Sequence, residues 1–442
     1  MAMDGVVLQL EDASDWTYRG EGAVNLVLAY TGSSPAFIGK VLRVQKVAKN
    51  GSDNLISSTV LTSEERLLWK DVKTIISSET SDVAAQNYVR DVMTPLLGAE
   101  HVDAGVRVRV SVDFLESIDK NVLPHRPAWR VDAARVNPLC DSALLISDHS
   151  VFHHGAKGMP CLSVEIKPKC GFLPPSKYIS EENHMKKSIS RFRMHQALKL
   201  HRKEVSEISH YDPLDMFSGI KNRIYKAMRA LFSTPQNNFR IFLNGSIIFG
   251  GSGGGTNATN SKTAELLEDA LGCFIRAEEG KRTEALLQLV TETLHEASVL
   301  DKLLEVQKLD AFDIEGAIHA YYNVVSEPCK VCQHVSKDQP HELHTIPFHE
   351  SLEIARNYLI AATAKDCSLI ISFRRKGDSN SASLNEQEFD HKAFFIDLDM
   401  KSLDRMKHYY ELDQEIVSNY NKVMRGDTEG DPKKRLQSNG HA

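Results

Sequence analysis

Between residues 167 and 203 the chain carries ten lysines and arginines against only two acidic residues, Glu181 and Glu182, although the whole 442-residue protein has a formal charge of −6. Ten cations less two carboxylates leave this window at +8. Such a stretch resists burial unless anions meet it, so it folds either as a solvated face or as one wall of a site for a polyanion. The solvated face is the ordinary outcome, and the residues placed around the window decide between the two.

With 42% apolar and 25% charged residues the chain reads as globular, long enough for two domains or for two lobes sharing one cleft. Folding at this size buries about 75% of the unfolded chain's surface, so no disulfide staple is required. The seven cysteines are scattered and odd in number, and only Cys329 and Cys332 share a recognised spacing. That usage fits a reducing compartment. The N-terminal stretch lacks a basic start followed by an apolar core, and no apolar run approaches the roughly 18 residues that span a bilayer. The expectation is a protein of the cytoplasm and/or nucleus that does not cross a membrane.

Residues 15–30, DWTYRGEGAVNLVLAY, predict a strand hairpin around a glycine turn, followed by a further strand in FIGKVLRVQK. Residues 63–92 have helical spacing, MTPLLG reads as a loop and VDAGVRVRVS as a strand. The texture then changes: two apolar strands, SALLI and CLSVEI, flank the loop DHSVFHHGAKGMP, and helical periodicity is clearest over 265–276, 282–296, 299–308 and 314–325. Two later strands are predicted in CSLIISF and AFFIDL. The expected division is an N-terminal lobe over 1–149, a C-terminal lobe over 150–424 and a disordered tail over 425–442. The glycine-rich stretch 250–263 lacks the GxxxxGK[ST] frame of a phosphate loop, because Ser261 precedes Lys262.

Four sets of residues carry chemistry. In Gly20-Glu21-Gly22-Ala23-Val24-Asn25, glycines let backbone amides approach phosphate oxygens, and a strand rather than a helix follows, as in kinase glycine loops. Arg43 lies about twenty residues on, on the strand where protein kinases carry their phosphate-binding lysine. Asp366 and Asp397 each border an apolar strand, in the order of a base followed by a magnesium ligand. The basic set comprises Arg130, Lys167, Lys169, Lys199, Lys401 and Arg405, and a polyphosphate needs several such cations to converge. Pro168 is expected to keep Lys167 and Lys169 extended and on the same side, and Lys401, Arg405 and Tyr409 to share one helical face. Separately, His319, Cys329, Cys332 and a histidine of HELH, with His344 preferred over His341, form a ligand set for a structural zinc ion that keeps no open position.

Taken together, these residues resemble the inositol-pentakisphosphate 2-kinases in their plant form. The resemblance rests on RGEGAVNLVLAY, SVEIKPKCGFLPPS, RFRMHQALKL, YDPLDMFSG, STPQNNFRIFLNG, LIAATAKDCSLIISF and DMKSLDRMKHYYELD, and extends from about Asp15 to Tyr420. It implies an α+β, two-lobed inositol polyphosphate kinase fold distantly similar to protein kinases, with a mostly helical inositol-phosphate region and the zinc site. It also implies transfer of the ATP γ-phosphate to the axial 2-hydroxyl of inositol 1,3,4,5,6-pentakisphosphate, giving the hexakisphosphate, phytate. Asp366 would be the base, Lys167 would stabilise transferring charge, and Asp397 would hold Mg2+. ATP would meet Gly20, Gly22, Ala23, Val24, Asn25 and Arg43, with Asp148 and His149 at the adenine hinge, Glu165 at the ribose and Arg240 near the nucleotide. The inositol phosphate would meet Arg130, Lys169, Lys199, Asn237, Asn238, Lys401, Arg405 and Tyr409. The zinc ligands would be His319, Cys329, Cys332 and His344.

Two positions depart from the pattern: Val47-Ala48-Lys49 stands where related plant enzymes tend to carry an additional arginine, and Ser147 where an asparagine is expected. A monomer is expected. The alternatives are a non-catalytic inositol polyphosphate-binding protein and a zinc-containing nucleic-acid binder. Intact Asp366, Asp397 and Lys167 argue against the first. Few aromatics interleave the basic residues, which argues against the second.

Overall fold

The computed structural model describes residues 6–22, 24–49, 60–152, 160–251, 261–332, 342–376 and 389–426. It has the expected α+β character, with two sheets and many helices. The first sheet contains β1 (Val7–Leu8), β2 (Trp16–Glu21), β3 (Asn25–Tyr30), β4 (Lys40–Ala48), β5 (Val106–Val110), β6 (Ala134–Val136) and β7 (Ser142–Ser147). Their order is β1-β5-β7-β4-β3-β2, with β6 paired to β4. Period-2 alternation sends Leu26, Leu28, Leu42, Val44, Ala143 and Leu145 to one face, where they pack on Phe114, Leu115 and Ile118 of helix Val112–Val122. That helix starts where Ser111 accepts a hydrogen bond from the Phe114 amide at 3.1 Å. Arg43, Gln45, Leu144 and Ile146 take the opposite face and line a cleft.

The second sheet is antiparallel throughout: β8 (Cys161–Ile166), β9 (Phe239–Leu243), β10 (Ser246–Phe249), β11 (Ser368–Arg375) and β12 (Phe389–Ile396), ordered β10-β9-β8-β11-β12. One face carries Leu162, Val164, Ile166, Leu369, Ile371 and Phe373 into the large core formed with the helices. The other carries Ser163, Glu165, Ser368 and Ser372, all buried. Buried hydroxyls need partners. Ser163 Oγ donates to the Ser150 carbonyl at 2.7 Å and Ser372 Oγ to the His149 carbonyl, so this polar face grips the segment that joins the two sheets.

Several local expectations change. MTPLLG is helical as far as Leu97, not a loop: Thr94–Leu97 continues from a π turn over Val89–Met93, which accommodates Pro95, and Thr94 Oγ1 donates to the Val89 carbonyl there at 2.8 Å. The helical stretch from Ser63–Leu68 to Thr94–Leu97 buries Leu68, Trp69, Tyr88 and Met93 in the large core of the second sheet. Position 149 therefore divides the chain more sharply than it divides the packing. The last helix runs Arg405–Arg425 and ends on Gly426 at φ +82°, and the rest of the tail, 427–442, lies outside the described residues, as does most of 250–263. No helix among the described residues is long and apolar enough to cross a membrane.

Candidate active site

Antiparallel register gathers residues that are far apart in sequence. Ile166 lies opposite Leu369, and Ser368 opposite Ile396. The end of β8, the start of β11 and the end of β12 therefore coincide, and Lys167, Asp366 and Asp397 meet at one edge. Lys167 Nζ is 3.6 Å from Asp397 Oδ2 and 3.4 Å from the Asp366 carbonyl oxygen. Lys169 Nζ donates to Asp366 Oδ1 at 3.1 Å, and Lys401 Nζ stands 3.9 Å from Asp366 Oδ2. From the other sheet, Arg43 reaches across to Asp399 at 3.2 Å and Asp397 at 4.0 Å.

Burial works against the charge on Asp366, but Lys169, Lys167 and Lys401 outweigh it and hold the carboxyl below the usual aspartate range. Burial likewise opposes the charge on Lys167, yet Asp397 and Asp366 raise its pKa above the ordinary lysine value. For Lys169 burial prevails and lowers it.

The lysine pair is not extended. β8 ends at Ile166, and Lys169 sits at φ +63°, so the two side chains do not alternate as on a strand. Both side chains nonetheless reach Asp366, one at its carbonyl and one at its carboxylate. The expected shared helical face also changes. Arg405 is the first residue of its helix and shares a face with Tyr409, whereas Lys401 lies in the turn before it.

The glycine turn is fastened from below. Glu21 is buried and pairs with Lys46 and with Arg126, whose Nε and Nη2 approach its two oxygens at 2.9 and 3.0 Å. The Gly22 carbonyl accepts from Lys46 at 2.8 Å and from Arg130 at 3.1 Å, and the Val24 carbonyl from the Lys46 amide at 2.8 Å. A Cβ on Gly20 or Gly22 would meet no protein atom within 4 Å, so packing does not require either glycine. The open side of the turn is what a phosphate needs. Asn25 opens β3 beside it and lines the same cleft as Arg43 and Asp397, while Ala23 lies outside the described residues.

At the junction of the sheets, Asp148 accepts from Arg19 at 2.7 Å and from the Ser150 amide at 3.0 Å, and the His149 ring stacks on Phe394 at 3.9 Å. Ser147 Oγ accepts from Lys40 at 3.1 Å, and Ala48 pairs with Ala134 at the end of β4. Glu165 and Arg240 are register partners on β8 and β9, joined at 3.0 and 3.1 Å.

A second pocket opens on the far side of Asp366. Lys169, Lys199, Lys401 and Tyr409 line it, as expected of an anion site, and so do Arg191 and His195. These last two went unassigned from sequence, although a signal existed: Arg191, His195 and Lys199 recur every four residues along helix Arg191–His201. Burial, with Arg191 and Lys199 next, pushes the His195 pKa down to about 3.

Not every expected residue gathers here. Arg130 lies by the glycine turn, its guanidinium 4.1 Å from the Trp129 ring centroid, and Asn237 is exposed. The Asn238 side chain is buried with neither its oxygen nor its nitrogen hydrogen-bonded, which marks a polar group oriented for something other than the fold.

A separate cluster joins His319, on helix Asp313–Val325, to Cys329, Cys332 and His344. His319 Nδ1 is 3.5 Å from both sulfurs and 3.1 Å from His344 Nε2, which is itself 3.3 Å from Cys332 Sγ. Tetrahedral bonds of about 2.0–2.3 Å give edges of about 3.3–3.8 Å; the separations involving sulfur fall in that range and the one between the two histidines is slightly shorter, so the donor set fits a zinc ion. Asn323 Oδ1, 2.8 Å from His344 Nδ1, fixes that ring's orientation. His341 lies outside the described residues. A second acidic group, Asp313, Glu315 and Asp413, is instead filled by the Lys186 ammonium, 3.0 and 2.6 Å from the latter two and also bonded to Asp313.

Residues 18–415 match the family model described as inositol-pentakisphosphate 2-kinase. The chain is 52% identical to the inositol-pentakisphosphate 2-kinase of Arabidopsis thaliana over 96% of both sequences. It is 49% identical to that of Oryza sativa subsp. indica over 97% of this chain and 98% of the relative, and 30% identical to that of Danio rerio over 92% and 93%. Together with Lys167, Asp366 and Asp397 at one sheet edge, between a glycine turn and a basic pocket, these similarities show that the chain belongs to the inositol-pentakisphosphate 2-kinase family.

Proposed function

We propose that this chain transfers the γ-phosphate of ATP to the 2-hydroxyl of inositol 1,3,4,5,6-pentakisphosphate, forming the hexakisphosphate. One observation carries the reading: Asp397 lines the cleft under the glycine turn, Asp366 lines the basic pocket, and Lys167 touches both residues. A donor phosphoryl group on one side and an acceptor hydroxyl on the other would meet at that ammonium. In-line transfer depends mainly on such positioning and on charge stabilisation.

In this reading Gly20, Gly22, Asn25 and Arg43 hold the nucleotide phosphates, Asp148 and His149 flank the adenine, and Glu165 with Arg240 meets the ribose side. Asp366 accepts the hydroxyl proton, and Lys167 neutralises charge on the moving group. Asp397 would hold a Mg2+ ion, which would supply charge to offset that of the nucleotide's phosphates. The acceptor carries about −1.5 to −2 per phosphate, for which Lys169, Lys199, Lys401, Arg405 and Arg191 supply countercharge, with Asn238, His195 and Tyr409 adding hydrogen bonds. The two sheets act as kinase-like lobes, and His319, Cys329, Cys332 and His344 hold a structural zinc. The chain would act as a monomer. It works in the cytosol or nucleus, in keeping with scattered cysteines that are odd in number.

The test is incubation of the purified protein with Mg-ATP and a panel of inositol phosphates, with the product's substitution pattern determined. Hexakisphosphate formed from the 1,3,4,5,6 isomer is expected. Tight binding of that isomer with no product would leave the non-catalytic reading in its place.

A further inference from the structure

Lys169 adopts a backbone conformation, φ +63°, that lysine rarely takes. Holding a residue there is unfavourable unless its surroundings dictate the geometry. Here they do. The Lys167 amide donates to the Asn238 carbonyl at 2.9 Å, and Tyr211 Oη donates to the Pro168 carbonyl at 2.7 Å. Gln307 Nε2 then donates to the Lys169 carbonyl at 2.8 Å, while Gln307 Oε1 accepts from the Gly171 amide at 2.8 Å. A Cβ at Gly171 would meet the Phe217 ring at 2.2 Å, so the backbone is also confined from that side.

The same Gln307 nitrogen donates to the Ala364 carbonyl at 3.2 Å, two residues before Asp366. Gln307 closes helix Val299–Gln307 and is 0% exposed. Its three partners lie only on the two segments that bring Lys169 to Asp366. A glutamine serving packing alone has no reason to join those two segments and no other. Its amide fixes one segment relative to the other, and with it the 3.1 Å pair between the ammonium and the carboxylate.

We propose that Gln307 is a positioning residue for phosphoryl transfer, setting Lys169 against Asp366 through the two backbones it joins, with Tyr211 as a second clamp at Pro168. The proposal rests on the roles given to Lys169 and Asp366 above. Gln307→Glu keeps the acceptor for Gly171 but turns the other oxygen toward two carbonyls. Those carbonyls favour the protonated form of the introduced carboxyl, which regains one donor when protonated. Tyr211→Phe removes a single hydroxyl and keeps the ring packing.

For both variants and the wild type, kcat, KM for the pentakisphosphate and KM for ATP are measured from pH 6 to 9, beside thermal melts and calorimetric affinity for the pentakisphosphate. Displacing the pair by about 1 Å costs about 10²-fold. Gln307→Glu should therefore lose about that much in acceptor kcat/KM at pH 8, with KM for ATP unchanged and the loss shrinking toward pH 6. Tyr211→Phe should lose less, in the same parameters.

An unaltered acceptor kcat/KM, an equal rise in both KM values, or a loss independent of pH would each overturn the proposal and leave Gln307 as packing. Wild-type protein that makes no hexakisphosphate would instead refute the assigned reaction. The calorimetric affinities would then still decide whether the clamp sets Lys169.

Discussion

Replacing Asp366 by asparagine separates chemistry from binding. The carboxylate lies within 4 Å of Lys169 and Lys401, and the Lys167 ammonium contacts its backbone carbonyl. Three ammonium groups and one carboxylate give +2; with an amide the sum becomes +3. The Asp366→Asn variant should therefore bind the pentakisphosphate as well as the wild type or better. What it loses is the proton acceptor, and a positioned general base contributes about 10²–10⁴-fold, or about 3–5 kcal/mol of barrier. Single-turnover assays with excess enzyme, paired with calorimetric titration of the acceptor, would read the two effects apart. A kcat within tenfold of wild type would refute the assignment of Asp366 as base. A large fall in acceptor affinity would refute the charge argument. Because the neighbouring lysines hold this carboxyl's pKa below the ordinary aspartate value, it is ionised throughout pH 7 to 5, so any loss of kcat over that interval must come from another group.

Lys186→Met strips the one ammonium shared by Asp313, Glu315 and Asp413 and should destabilise the fold by about 3–5 kcal/mol in urea titrations; a loss below 1 kcal/mol would refute the reading. Burial, with Asp413 and Asp310 next and against Lys186, raises Asp313 from 3.8 to about 6. The folded state then holds that proton more tightly than the unfolded one, so this residue's contribution to stability is present below about pH 4 and is lost as pH rises through about 6. Asp313→Asn, which suits φ +58°, should be tolerated at pH 7.5 and should partly rescue Lys186→Met there. Chelation of the His319–Cys332 cluster should release about one zinc per chain and lower Tm, measured by atomic absorption and calorimetry; an unchanged Tm would refute a structural role.

Much of this molecule was readable one-dimensionally because its signals are local. The glycine turn followed by a strand, the alternation in CLSVEI and CSLIISF, and the CxxC spacing each involve residues close in sequence, so the periodicity of one element reveals them. Conformation was less legible. Pro168 predicted an extended lysine pair, but Gln307 and Tyr211, over 130 and 40 residues away, hydrogen-bond the backbone around Lys169, which adopts a positive φ. Helix Ser63–Leu68 and its successors looked like part of the first lobe, yet the apolar surface that buries them belongs to the second sheet. Arg191 and His195 carried a four-residue spacing that an exposed helix face would also have.

By itself the sequence determined which chemical groups the protein owns: two aspartates, a lysine pair, a glycine turn and four side chains whose donors could hold a metal. Tertiary structure decided which of them touch. Antiparallel register between β8, β11 and β12 puts Lys167, Asp366 and Asp397 at one edge; each strand's alternation shows which face it buries, but which strands pair, and with what offset, depends on partners as far as about 200 residues away along the chain.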